Sequence, residues 1–154
     1  MQAFPHHYTV TAAGGAQGDV ELIADDLLKL RSASPAEFDG PGDRWSPETF
    51  LVGAVGDCFI LTFRAIARAS KLPWGSLRCD VTGMLDLINR VVQFTTFEIR
   101  AHLELPAGTD PAQAQRLLEK AEHTCLISNS LKATVRLHTK IEVADQPVGA
   151  SVIG

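Results

Sequence analysis

Two cysteines and one glutamate offer the most chemistry in this chain. Cys58 falls within the apolar run at residues 50–63, and Cys125 ends the apolar stripe Ala114, Leu118, Ala121. Both thiols therefore belong to core-forming helices facing one interior. A thiolate attacks electrophilic oxygen or sulfur, and two facing thiols can close a disulfide. Taken singly, each also packs well as a small buried hydrophobe. Glu48 precedes Cys58 by ten residues on the same helix, about 15 Å along its axis. It is either a plain first-turn acid complementing the helix dipole or a partner of the thiol acting across a two-fold interface or through an arginine. Asp57 adjoins Cys58, and a carboxylate close to the sulfur would raise the thiol pKa. Neighbouring helical positions diverge by about 100°, which directs it elsewhere. Cys79 falls on the apolar side of a strand and reads as core filling.

The elements that must position these residues read as follows. Short strands punctuated by Gly14-Gly15 and Asp25-Asp26 occupy residues 8–31, at 8–11, 20–23 and 27–30. An irregular loop covers 32–46, long enough to line or cover something. Ser46 as N-cap, Pro47 at the first helical position and Glu48 in the first turn open a helix over 47–71, stopping before Pro73. That helix is apolar on nearly every side and needs outside cover, which predicts a second copy of the chain. Gly53 and Gly56 weaken it and suggest a close backbone approach. Period-two alternation marks strands within 77–105 and at 133–143, and Asp110-Pro111 opens a second helix over 111–125. Strand runs with two isolated helices predict an α+β fold with antiparallel sheets. The whole chain, 1–154, is expected to form one domain.

Composition excludes several classes. The 154 residues are 45% hydrophobic and 21% charged, which excludes a disordered chain. A net charge of −4 with scattered Lys and Arg argues against nucleic acid. The apolar run at 50–63, broken by Asp57 and followed by Arg64, falls short of a membrane span. The start, Met1 to His7, has neither the cationic nor the apolar region of a secretory signal. A cytoplasmic chain with reduced thiols is expected. No metal is expected: His123, Cys125 and Cys58 lack ligand spacing. His123 reads as a surface residue. Gly14-Gly15-Ala16-Gln17-Gly18 is a turn rather than a phosphate loop, and Ser128 and Ser130 lack a base for hydrolysis.

Two segments carry a resemblance. Pro35-Ala36-Glu37-Phe38-Asp39-Gly40-Pro41-Gly42 with Ser46-Pro47-Glu48-Thr49-Phe50-Leu51-Val52-Gly53-Ala54-Val55-Gly56-Asp57-Cys58-Phe59, and Ala121-Glu122-His123-Thr124-Cys125-Leu126-Ile127-Ser128-Asn129-Ser130-Leu131, resemble the OsmC/Ohr family (osmotically induced protein C and organic hydroperoxide resistance protein), in its OsmC-like branch. The resemblance runs from about residue 8 to 143. It implies an intertwined homodimer with sites at the interface and thiol-dependent reduction of organic hydroperoxides, with an external dithiol and no bound cofactor. On this resemblance Cys58 is the peroxidatic cysteine, Cys125 the resolving thiol that closes a Cys58–Cys125 disulfide, and Glu48 the acid that orients an arginine beside the sulfur.

Three departures accompany it. Ala16 and Glu37 stand where the two branches carry that arginine, leaving Arg31 and Arg44. Asp57 adjoins Cys58. Leu126 replaces the usual proline, which predicts that the helix runs on past Cys125. The expected substrate pocket is apolar, formed by the 32–46 loop with Phe50, Phe59 and Phe63. The alternative reading is a non-catalytic dimer that binds a small molecule or senses redox state.

Overall fold

The structure is a computed structural model and describes residues 1–146. Contacts divide the chain into two compact units, one spanning Met1–Leu51 and the other beginning at Val52.

The first unit is a meander of three antiparallel strands, β1 (Thr11–Ala13), β2 (Val20–Ile23) and β3 (Leu30–Ser32). The first strand lies later than the sequence pattern suggests, because Thr11 takes the register position opposite Ile23 and leaves Tyr8 and Val10 exposed. A turn with Asp26 at φ 59° and Leu27 N–H bonded to the Ala24 carbonyl holds Leu27 and Leu28 outside β3. The following loop has structure of its own. It contains a 3-10 turn at Ala36–Phe38, and the Ala33 N–H closes it onto the Trp45 carbonyl at 2.9 Å. Gly40 belongs there because a Cβ would collide with the Ser34 carbonyl.

Helix α1 (Pro47–Ala69) begins as its sequence predicts. The Thr49 N–H donates to Ser46 Oγ at 3.2 Å, and the Ser46 N–H donates to Thr49 Oγ1 at 2.9 Å. This reciprocal cap satisfies two backbone donors and explains why Ser46 is fully buried. The helix ends at Ala69 rather than at residue 71. Lys71 adopts φ 55°, and the Leu72 and Lys71 N–H groups bond back to the carbonyls of Ala67 and Arg68. Those two bonds form a Schellman closure, made with lysine where glycine is usual. With 23 residues, α1 has the length and composition of a bilayer span, a test that core helices also pass, and its buried stripe is that of a core helix.

Its packing is one-sided. Val55, Gly56, Phe59, Phe63 and Ala67 form a buried stripe, while Leu61 is 50% exposed. One chain therefore covers one side of α1 and leaves the other open, in line with the need for outside cover read from the sequence. Gly56 makes room for the Val81 side chain, not for another backbone, and Gly53 is exposed. Gly83 similarly fits against Val52, Phe94 and Phe97.

The second unit is built on a sheet ordered β4 (Ser76–Ile88), β5 (Val91–Leu105), β6 (Thr134–Val143). Asn89 and Arg90, at φ 50° and 67°, form the two-residue turn that joins the first pair, a geometry matched to strand twist. One residue, Thr95, bulges out between Thr96, which pairs with Met84, and Phe94, which pairs with Leu85. Phe97, Ile99, Ala101, Leu103 and Leu105 of β5 are buried on one face. Covering those five side chains contributes roughly 1.5–3 kcal/mol for each large one.

Strand β6 runs parallel to β5, a departure from the antiparallel sheet expected. The reason is the connection: α2 (Pro111–Thr124) and α3 (Leu126–Asn129) lie between them and carry the chain back across the sheet. Ala114, Leu118 and Ala121 of α2 are buried, and Thr139 of β6 donates to Gln115 Oε1 at 2.6 Å. The α+β class stands, with both core helices over the apolar face of this sheet.

Candidate active site

The two thiols predicted to share an interior do meet. Cys58 projects from the middle of α1, and its sulfur lies near the Cys125 thiol. Cys125 is fully buried and Cys58 half-buried. Their meeting depends on a break in the second helix. Cys125 leaves helical geometry at φ −63°, ψ 113°, ends α2, and serves as the residue before α3. The helix therefore does not run on past Cys125, although Leu126 stands there instead of proline. The Thr124 hydroxyl donates to the Lys120 carbonyl at 2.7 Å, which takes up one end-of-helix acceptor. The Asn129 side-chain amide donates to the His123 carbonyl at 3.2 Å and ties the new turn down.

That break gives Cys58 a partner that spacing alone does not reveal. The backbone N–H of Ile127, in the first turn of α3, lies near the Cys58 sulfur. Thr62, one helical turn after Cys58, places Oγ1 3.8 Å from the same sulfur. The i, i+4 interval between Cys58 and Thr62 is legible in the sequence. The Ile127 contact is not, because it requires knowing where α2 stops.

Burial pushes the Cys58 thiol above its ordinary range, and the adjacent Cys125 thiol adds to the rise; the Ile127 N–H and the Thr62 hydroxyl act in the opposite direction. The net direction is upward, so these four surroundings do not by themselves generate a thiolate. Burial stabilises the neutral form, and two neutral donors only partly offset that.

The remaining predicted residues divide clearly. Glu48, in the first unit, has a buried Oε2 with no hydrogen-bond partner. An unpartnered buried carboxylate oxygen is costly and fits a group that expects a cationic donor. Arg44 is not that donor. Its guanidinium pairs with Asp19 at 3.2 Å and Asp43 at 3.1 Å, which raises its pKa further. Arg31 is exposed on β3 and makes no ion pair among the described residues.

Asp57 is exposed while Cys58 turns inward. His123 is 78% exposed beside Glu122 and takes no part in the thiol pair. Phe59 and Phe63 are completely buried in the core and cannot line a pocket, which corrects the expected apolar cleft. Phe50 instead stacks on Trp45, with ring centroids 5.5 Å apart and planes 10° from parallel. Cys79 sits on the apolar side of β4, as expected for core filling.

Comparison with known proteins places this arrangement in context. Residues 40–140 match the family model described as OsmC-like protein. An uncharacterized protein, YmaD, from Bacillus subtilis is 30% identical over 142 residues, covering 90% of this chain and 95% of that protein. An organic hydroperoxide resistance protein from Xanthomonas axonopodis pv. citri is 28% identical over 127 residues, 81% of this chain and 86% of the relative. Among solved structures, an OsmC-like protein of unknown function from Vibrio cholerae superposes with a TM-score of 0.80 at 16% identity, covering 88% of this chain and all of the other. The organic hydroperoxide resistance protein OsmC from Legionella pneumophila superposes with a TM-score of 0.70 at 27% identity, over 90% of this chain and all of its own. With the model match over most of its length and the fold shared over 88–90% of it, this chain belongs to the OsmC-like protein family.

Proposed function

We propose that the protein is a thiol-dependent peroxidase that reduces organic hydroperoxides. The observation that carries this reading is the Cys58 sulfur close to the Cys125 thiol, in a chain related to proteins named for organic hydroperoxide resistance. The Cys58 thiolate attacks the outer peroxide oxygen, the O–O bond breaks, and the leaving alkoxide takes up a proton to become the alcohol. Cys58 is left as a sulfenic acid. The Cys125 thiol then attacks that sulfur, releases water, and closes a Cys58–Cys125 disulfide. An external dithiol returns both cysteines to the reduced form by exchange, so no bound cofactor is required.

The upward push on Cys58 defines what else the mechanism needs. A guanidinium near the sulfur favours the thiolate and then meets the charge developing on the departing oxygen. Glu48, with its unpartnered Oε2, is the residue to hold that guanidinium. Arg31 is the better candidate of the two, because Arg44 is already engaged by Asp19 and Asp43. The working unit is a homodimer in the cytoplasm, with the second copy covering the open side of α1.

The deciding experiment follows peroxide consumption by the reduced protein with a dithiol reductant, comparing cumene hydroperoxide with hydrogen peroxide. The expected result is faster turnover of the organic peroxide and a Cys58–Cys125 disulfide identified by mass spectrometry in substrate-treated protein. Peroxide consumption without that disulfide overturns the resolving role of Cys125; no consumption overturns the peroxidase. The raised Cys58 pKa favours one second reading, a dimer that binds a small molecule or senses redox state with the same cysteines. It predicts a Cys58 thiol inert to alkylation up to about pH 9, whereas a peroxidatic cysteine reacts near neutral pH.

A further inference from the structure

The polar face of the second unit's sheet holds a cluster that thiol chemistry does not use. In the parallel register, Glu104 of β5 stands directly opposite Glu142 of β6. Like charges opposed across neighbouring strands are destabilising unless something positive answers them. The chain supplies a partial answer. Ser76 Oγ donates to Glu104 Oε2 at 2.8 Å, and Lys140 Nζ lies 3.0 Å from Glu142 Oε1. His102, on the same face of β5, places Nε2 3.1 Å from Glu142 Oε2. That nitrogen is shielded from solvent and has no well-aligned hydrogen bond. One donor atom from each of His102, Glu104 and Glu142 lies within 4.8 Å of the others. Glu104 and Glu142 also line a cavity of about 520 Å³, together with Trp74 and Asp145.

We propose that His102, Glu104 and Glu142 form a binding site for a divalent transition-metal cation. One imidazole and two carboxylates suit Zn²⁺ or Co²⁺ better than Mg²⁺ or Ca²⁺, which take oxygen ligands throughout. Three protein ligands, two of them lining a cavity, leave a coordination position open to water or a small ligand. Metal–ligand bonds of about 2.0–2.2 Å place tetrahedral ligand atoms about 3.4 Å apart, so the most widely spaced of the three close in by roughly 1 Å or slightly more. Side-chain torsions on an exposed sheet face accommodate that movement. A bound cation would also relieve the repulsion between Glu104 and Glu142. Lys140 is its competitor, because its ammonium occupies one side of Glu142.

The test is a Co²⁺ titration of the full chain carrying Cys58→Ser and Cys125→Ser, which removes the thiol pair as rival ligands. Calorimetry gives affinity, and the visible spectrum identifies the ligands. The expected result is one equivalent bound, with no thiolate-to-cobalt absorption. His102→Ala and Glu142→Gln should each weaken binding about tenfold or more, the scale of losing a ligand or its support. Lys140→Met should tighten it several-fold by removing the competing cation. Glu104→Gln and Glu142→Gln are close to isosteric, so they test the site even if the histidine variant fails to fold. Thiolate absorption from Cys79, no saturable binding, or unchanged affinity in both glutamine variants overturns the proposal.

Discussion

Cys58 and Cys79 are the same side chain, each half-buried in the same unit, yet their surroundings set them apart. Around Cys58 lie a second thiol, a hydroxyl and a backbone N–H, with burial pushing the thiol up and donors pulling it down. Cys79 has only desolvation and the carboxylate of Asp80, both in the same direction, and is pushed up to about 12. Burial and a neighbouring carboxylate, with no donor to oppose them, hold the Cys79 thiol protonated. What separates the two is the set of polar groups near the Cys58 sulfur, which offset part of its desolvation and have no counterpart at Cys79.

The largest effect that can break this contrast is catalytic. Cys58→Ser should lower hydroperoxide turnover at least a thousandfold, while Cys79→Ser should leave it within about twofold, measured by peroxide consumption. A loss of turnover in the second variant would erase the distinction.

Two faces of α1 supply the next comparison. Phe59→Ala should cost about 3–5 kcal/mol of stability, because a fully buried ring leaves a cavity. Leu61→Ala, at a half-exposed position, should cost about 0.5 kcal/mol if the chain alone is the folded unit, read from denaturant melts. A larger, concentration-dependent loss would reveal the second copy expected to cover that face.

Glu48→Gln sharpens the electrostatic side. It should slow turnover by about ten- to a hundredfold and move the pH midpoint of Cys58 alkylation upward, leaving Cys79 unreactive. A structural role alone would lower stability without shifting that midpoint. Thr62→Val should shift the midpoint in the same direction by less, since it removes a single neutral donor.

The smallest effect concerns Cys79 and pH. Its folded-state pKa lies above that of the unfolded chain, so the stabilising contribution is complete below the unfolded value of about 9. It is then lost as pH rises towards about 12, because the unfolded chain releases its proton first. The melting temperature of the wild type should therefore fall more steeply above pH 9 than that of Cys79→Val.

The sequence by itself determined what depends on local chemistry. Ser46 and Pro47 mark the start of α1, the alternating residues at 97–105 mark a strand with one dry face, and the stripe Ala114, Leu118, Ala121 marks the buried side of α2. Capping, pleat and helical period act over a few residues, so each leaves a pattern that neighbours alone explain. The pairing of Cys58 with Cys125 was legible for the same reason: both fell on stripes that had to face inward. The tertiary structure decided the rest. Only it turned β6 parallel to β5 and set Glu104 against Glu142, closed α1 on Lys71 without glycine, stopped α2 at Cys125 without proline, and delivered the Ile127 N–H to Cys58. Those outcomes depend on where distant segments come to rest, and the free energy that fixes them is shared among contacts no short stretch of chain contains.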